Sequence, residues 1–150
     1  MAQTTTDVNA CDVAIWIDNA AGTLTDVSGS TNQCSLTFTH ETGITRTFGS
    51  RWPRRKGCMK DTKIKLNIVY SEASGEMMDC WKNWFFTNPV AARTVKIYIP
   101  DKNVGSDVYS GEFIIDGDTE IPLEAGTAEP IVVTTQLSIT GEGTWVTNAT

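Results

Sequence analysis

Most of this sequence alternates. Across residues 33–40, Cys34, Leu36, Phe38 and His40 fall on one side of an extended chain and Ser35, Thr37 and Thr39 on the other. Residues 62–70 place Ile64, Leu66, Ile68 and Tyr70 opposite Lys63, Lys65 and Asn67. Residues 93–99 place Val95, Ile97 and Ile99 opposite Lys96 and Tyr98. Successive side chains of a strand point to opposite faces, so each stretch predicts a strand with one face buried. One segment breaks the rhythm: Met77, Cys80, Trp81, Trp84 and Phe85 recur at intervals of three and four, which is one face of a helix. Alternation with a single helical insert predicts a mainly β fold: a β-sandwich or small barrel of short antiparallel strands, with one flanking α-helix at about residues 72–86.

Further strands are expected at residues 13–17, 23–27, 108–115, 121–124, 131–140 and 144–146, separated by Asp-, Asn- and Gly-containing turns. Ser71 or Ser74 would cap the helix, with Glu72 and Glu76 in its first turn, and Asn88-Pro89 would end it. Residues 1–11 are polar, Thr-rich and without periodicity, which predicts a flexible N-terminal arm. Residues 41–61 show no alternation and are expected to form a long early loop. At 150 residues the remainder, 12–150, suits one domain with its own core.

Charge is unevenly placed. The formal net charge is −6, yet Arg46, Arg51, Arg54, Arg55, Lys56 and Lys60 lie within fifteen residues that hold no acid. The rest of the chain therefore carries −12. From Asp101 onward nine acids face a single base, Lys102. Basic residues around Trp52 fit three partners by pattern alone: single-stranded nucleic acid, bulk solvent, or an acidic surface on another protein.

Catalysis finds little support. His40 is the only histidine, and no GxSxG frames a serine, so a Ser/His/Asp triad has no basis. Asp116, Asp118 and Glu120 imitate the front of a calcium loop, but Ile121 and Thr127 stand where its glycine and glutamate belong. An acidic turn is the simpler reading. Asp107, Glu112, Asp116, Asp118 and Glu120 offer glycosidase-like pairs only as any acidic β-protein does. Trp81 and Trp84 could stack on sugars, but their helical spacing places them in a core. Cys11, Cys34, Cys58 and Cys80 lack zinc spacing, and free thiols are expected. The chain shows no apolar signal region and no run long enough to span a membrane, so no membrane anchor is expected. No enzyme, cofactor or metal is expected.

Three segments, in this order and spacing, resemble the tail tube (major tail) proteins of long-tailed bacteriophages. They are DNAAGTLTDVSG at 18–29; TFG at 47–49 with GCMKD at 57–61; and YSGEFIIDG at 109–117 with EPIVVTTQLSITG at 129–141. The likeness spans roughly residues 12–145. It departs at Ser50, where an acid is common, and in the basic run Arg54-Arg55-Lys56. The resemblance implies a structural virion protein, assembled in the host cytoplasm into stacked six-subunit rings of the tail, through which DNA passes. Its other partners would be tail-tip or initiator, terminator and tape-measure proteins. Residues 1–11 and 41–61 map to the family's reaching segments. Arg51, Trp52, Arg54, Arg55, Lys56 and Lys60 thereby become the expected inter-subunit contact. The alternative is a carbohydrate- or ligand-binding β-sandwich module of a virion or cell surface.

Overall fold

The computed structural model describes residues 12–126 and 128–149; the expected arm at 1–11 lies outside them. Eight strands and one helix follow in order: β1 (Ala14–Asp18), β2 (Leu24–Asp26), β3 (Thr31–Thr45), β4 (Arg54–Val69), α1 (Met77–Thr87), β5 (Arg93–Ile99), β6 (Asp107–Ile115), β7 (Val132–Ile139) and β8 (Thr144–Thr147). Every pairing between these strands is antiparallel, in the order β2-β1-β5-β6-β7-β4-β3. β6 is the branch point. One of its edges pairs with β5, while the other pairs with β8 from Asp107 to Ser110 and with β7 from Phe113 to Ile115.

The hydrogen-bonded path is continuous, yet it closes over one core as a sandwich. Ile64, Leu66 and Ile68 of β4 share a buried cluster with Ile15 and Ile17 of β1, Val95 and Ile97 of β5, and Phe113 of β6. Ile64, Leu66, Ile68, Val95 and Ile97 are positions picked out by alternation. Tyr98 is an exception, because it lies on the polar side of β5 by pattern but is buried, with Trp16 edge-on to it at 6.5 Å.

The helix docks on this core through Met77, Met78, Cys80, Trp81 and Trp84. It begins later than its sequence suggests, and neither Ser71 nor Ser74 caps it. Glu76 occupies the cap position without a side-chain bond, and the hydroxyl of Ser30 accepts the Met77 N–H at 2.9 Å. A residue far away in sequence thus satisfies a free donor of the first turn, which a residue pattern along the helix cannot reveal. At the other end, Trp84 donates its indole N–H to the Ala91 carbonyl at 2.8 Å, and the Arg93 guanidinium lies 5.2 Å from its ring centre. Phe85 departs from the expected buried face: it is 41% exposed and stacks on Trp81 at 5.1 Å.

Two expected segments are corrected. Residues 121–124 form no strand; Glu120 makes a single bridge to Thr134 instead. The long early loop at 41–61 is largely strand. β3 runs on to Thr45 and β4 starts at Arg54, paired from Thr31↔Ile68 to Thr45↔Arg54, so only 46–53 connects them. The reason is exposure on both faces: every residue of 41–45 and 54–60 is exposed, so nothing selects for alternation. Thr42, Ile44 and Thr45 supply β-branched side chains, and the cross-strand ladder supplies the rest.

Trp84→Ala is expected to cost ~3–5 kcal/mol in reversible denaturation, because the ring is fully buried. Phe85→Ala loses ring contacts with Trp81 and Phe86, each ~0.5–1.5 kcal/mol beyond area burial, at a half-exposed site that leaves little cavity, and should cost less than Trp84→Ala. Equal losses would contradict this packing. Thiol chemistry checks the same burial. Burial pushes the Cys34 thiol up to about 11, and burial raises Cys80 despite the neighbouring Arg93, whereas Cys58 is exposed on β4. Thiolates are the reactive form. Iodoacetamide at pH 8 followed by peptide mass spectrometry should modify Cys58 in the folded protein, and Cys34 and Cys80 only on unfolding.

Candidate subunit interface

β4 divides into two halves. From Thr62 to Ile68 its even-numbered residues are buried, and from Lys63 to Ile68 it is paired on both edges, with β3 and with β7. From Arg54 to Thr62 it pairs with β3 alone, and β3 has no second neighbour among the described strands. The outer half of the hairpin is therefore a two-stranded ribbon with two open edges. Isolated two-stranded hairpins are marginal in water, and a long open edge invites pairing with another chain.

The ribbon gathers the expected contact residues. Arg51 and Trp52 lie in the connection, and Arg54, Arg55, Lys56 and Lys60 lie on β4. Register places Arg54, Arg55, Lys56 and Lys60 opposite Thr45, Ile44, Gly43 and His40. Alternation, with the bulge between His40 and Thr42 taken into account, sends Arg54 and Lys56 to one face and Arg55 and Lys60 to the other. None of these cations has an ion-pair partner among the described residues. The ribbon is also apolar: Phe48 is fully exposed, and Trp52 is 81% and Met59 68% exposed. The Ser50 hydroxyl accepts the Trp52 N–H at 3.2 Å and donates to the Trp52 carbonyl at 3.0 Å, which orders the turn backbone. Phe48 and Met59 were missed in the sequence; neither shows a periodic pattern, and only their exposure singles them out.

Apart from Glu41 and Asp61, the acids lie off the hairpin. Asp116, Asp118, Glu120, Glu124 and Glu129 fall in the connection between β6 and β7, which follows β7 toward the Val69 end of β4. The ribbon's cations are at the other end of the same strand. From Lys56 to Asn67, at ~3.3 Å per residue, the separation is roughly 35 Å. Asp116 accepts the Ser138 hydroxyl at 2.8 Å, so it acts within the turn. No group of three metal-ligating side chains occurs among the described residues. In the loop before β6, the Asn103 N–H and then the Ser106 hydroxyl hold Asp101 below the usual carboxylate range.

At the base of the ribbon, where β7 ends and β8 begins, the sandwich opens into a cleft of about 710 Å³. Its rings come from three strands: Phe38 of β3, Tyr109 of β6 and Trp145 of β8. Phe38 meets Tyr109 edge-on at 5.2 Å and 87°, and Trp145 is tilted 56° to Phe38 and 53° to Tyr109. Tyr109 donates its hydroxyl to Thr62 at 2.9 Å, tying β6 to β4 beneath the cleft. A Cβ at Gly143 would collide with the Tyr109 hydroxyl, so glycine keeps that wall close. His40, Cys58, Lys60, Asp61 and Glu142 complete the lining. His40 packs over Gly57, where a Cβ would stand 2.8 Å from its Nε2, and its ring makes no hydrogen bond among the described residues. Trp81 and Trp84 are buried in the core, which removes them as a sugar-stacking platform.

No protein-family model matches the sequence, and no curated protein does. Solved structures do match in fold. A chain from the tail of an empty gene transfer agent particle, refined helically with C6 symmetry, superposes with TM-score 0.71 at 16% identity, covering 92% of this chain and 98% of its own. A chain from the six-fold symmetrised baseplate of the anti-feeding prophage gives TM-score 0.71 at 12% identity, covering 97% of each chain. A chain from the extended sheath–tube complex of the extracellular contractile injection system PVC gives 0.69 at 12% identity, covering 97% of this chain and 94% of its own. The protein thus has, over nearly its whole length, the fold of chains from a particle tail, a baseplate and a sheath–tube complex.

Proposed function

We propose that this chain is a structural, non-enzymatic subunit of a virion tail tube. Six copies form a ring, rings stack into a hollow tube, and the genome passes through the lumen. The observation that carries this reading is the unsupported ribbon. On a fold shared with chains of six-fold tail and baseplate particles, half of one hairpin projects with both edges open, both faces exposed and its cations unpaired. A second copy supplies what the ribbon lacks.

Electrostatics favours a sister subunit over nucleic acid as the partner. Six copies together carry −36, which opposes stacking unless patches of opposite sign meet. The basic ribbon and the acidic body of residues 101–150 form such a pair, and complementarity of this kind sets register and specificity more than raw affinity. Ribbon and acidic body are different surfaces of one subunit, so the contact is heterologous, the type that closes into rings or propagates into filaments. Phosphate binding at the ribbon would have to overcome the −12 on the rest of each subunit. A conduit that held DNA by counterion release would also impede its passage. A tail-tip initiator, a terminator and a tape-measure protein are the further partners of this reading. Assembly would take place in the host cytoplasm.

Electron microscopy of the concentrated protein, alone or with tail-initiation proteins, should show rings or tubes with a central channel. Arg54→Glu with Arg55→Glu should leave the monomer folded, since exposed substitutions usually change stability within about 0.5 kcal/mol. It should abolish sedimenting tubes, and salt should weaken wild-type stacking as exposed pairs are screened. Normal tubes from the reversed protein, together with a wild-type DNA gel shift that the reversal eliminates, would overturn the assignment of the ribbon to assembly.

A further inference from the structure

We infer that the cleft between Phe38, Tyr109 and Trp145 is the receptor for the ribbon tip of a second copy, entered by Phe48 and Trp52. This deepens the tube reading and rests on it. Two observations meet here. The tip exposes Phe48 completely and Trp52 at 81%, with no ring partner among the described residues. The cleft exposes Phe38 at 54% and Trp145 at 51%, also apolar surface left open to water.

The cleft's shape suits an aromatic occupant. Its three rings are mutually tilted by 53–87°, so they present faces and edges together instead of one flat platform. A fourth ring can then pack edge-to-face, the arrangement aromatic pairs prefer. The volume of about 710 Å³ accommodates bulky side chains with their flanking backbone. Charge agrees in sign. Asp61 and Glu142 stand in the cleft against Lys60, while the tip brings Arg46, Arg51, Arg54, Arg55 and Lys56 without an acid. An apolar centre ringed by charges is the usual anatomy of a specific interface.

The occupant must come from another molecule. His40, Cys58 and Lys60 of the cleft wall are the base of the same hairpin that carries the tip. At ~3.3 Å per residue, the tip stands roughly 20 Å beyond that base. Returning it to its own cleft would break the ladder from Thr42↔Gly57 to Thr45↔Arg54. A tip seated in a sister's cleft keeps that ladder. It also makes a heterologous contact, in which each copy gives a tip and receives one.

Cys58, exposed within the cleft, provides the test. A Cβ at Gly49 meets nothing within 4 Å, so Gly49→Cys adds a thiol to the tip without strain. Diamide, which takes two protons and two electrons from a thiol pair, should convert assembled Gly49→Cys protein into a ladder of disulfide-linked multimers on non-reducing gels. The ladder should be absent from oxidised wild type and vanish with added Cys58→Ser. A second arm carries Gly49→Cys, Cys58→Ser and Asp118→Cys, which reports docking on the acidic connection instead; it should not link. In parallel, Trp52→Ser and Trp145→Ser should each raise the protein concentration needed for tubes at least tenfold. A mixture of the two should stop at one-to-one pairs, because only one productive tip and one productive cleft remain. Linking through Asp118→Cys, or tubes from both tryptophan variants at wild-type concentration, would overturn the docking while leaving the tube reading intact. A wild-type protein that forms neither rings nor tubes would overturn both.

Discussion

The pairing of β3 with β4 is the interaction on which the rest depends. Its inner half, from Thr31↔Ile68 to Phe38↔Thr62, sets Leu36, Ile64, Leu66 and Ile68 toward the core, with Ile64, Leu66 and Ile68 fully buried. Its outer half continues the same ladder past the last contact with β7 and carries the cations into solvent. One set of cross-strand hydrogen bonds therefore serves both the monomer and its projecting arm. Burial fixes the register of the inner half, because a one-residue slip would turn its apolar set outward. The bulge between His40 and Thr42 then shifts the outer register by one residue, so the face that even-numbered residues of β4 occupy below it is continued by odd-numbered residues, Gly57 and Arg55, along the ribbon.

The helix is held independently of the ribbon. Ser30 caps it from the turn before β3, and Trp84 anchors its last turn through Ala91 and Arg93. Substitutions in the projecting segment are thus expected to cost the fold little. The separation is a property of position: the ribbon makes few buried contacts, whereas every residue that fixes the helix lies in or beside the core.

How far the sequence disclosed this differs by element. β5 was legible to the residue and β4 in its inner half, because one face of each is buried and alternation follows from burial. The helix was legible from Met77 onward for the same reason, but its cap was not, since Ser30 lies 47 residues away. The outer ribbon was illegible as strand. Arg54-Arg55-Lys56-Gly57 has weak β-propensity, and with both faces wet no pattern marks it. Its charge, by contrast, is plain in the sequence, and Arg51, Trp52, Arg54, Arg55, Lys56 and Lys60 stand out as an expected contact without any strand pattern. The cleft was invisible because Phe38, Tyr109 and Trp145 come from three strands distant in sequence. Phe38 reads as an ordinary core position, yet it lies where the core opens to solvent.

A ribbon that assembly completes, as proposed, would have amides whose exchange changes on assembly. Hydrogen exchange, followed by peptide mass spectrometry on monomer and on assembled protein at matched pH, measures it. In the monomer, amides of residues 40–60 should exchange fast while β5, β6 and α1 stay protected. On assembly, residues 40–60 should slow by at least tenfold while the core and helix change little. Equal exchange of residues 40–60 in the two states, or strong protection already in the monomer, would contradict the account.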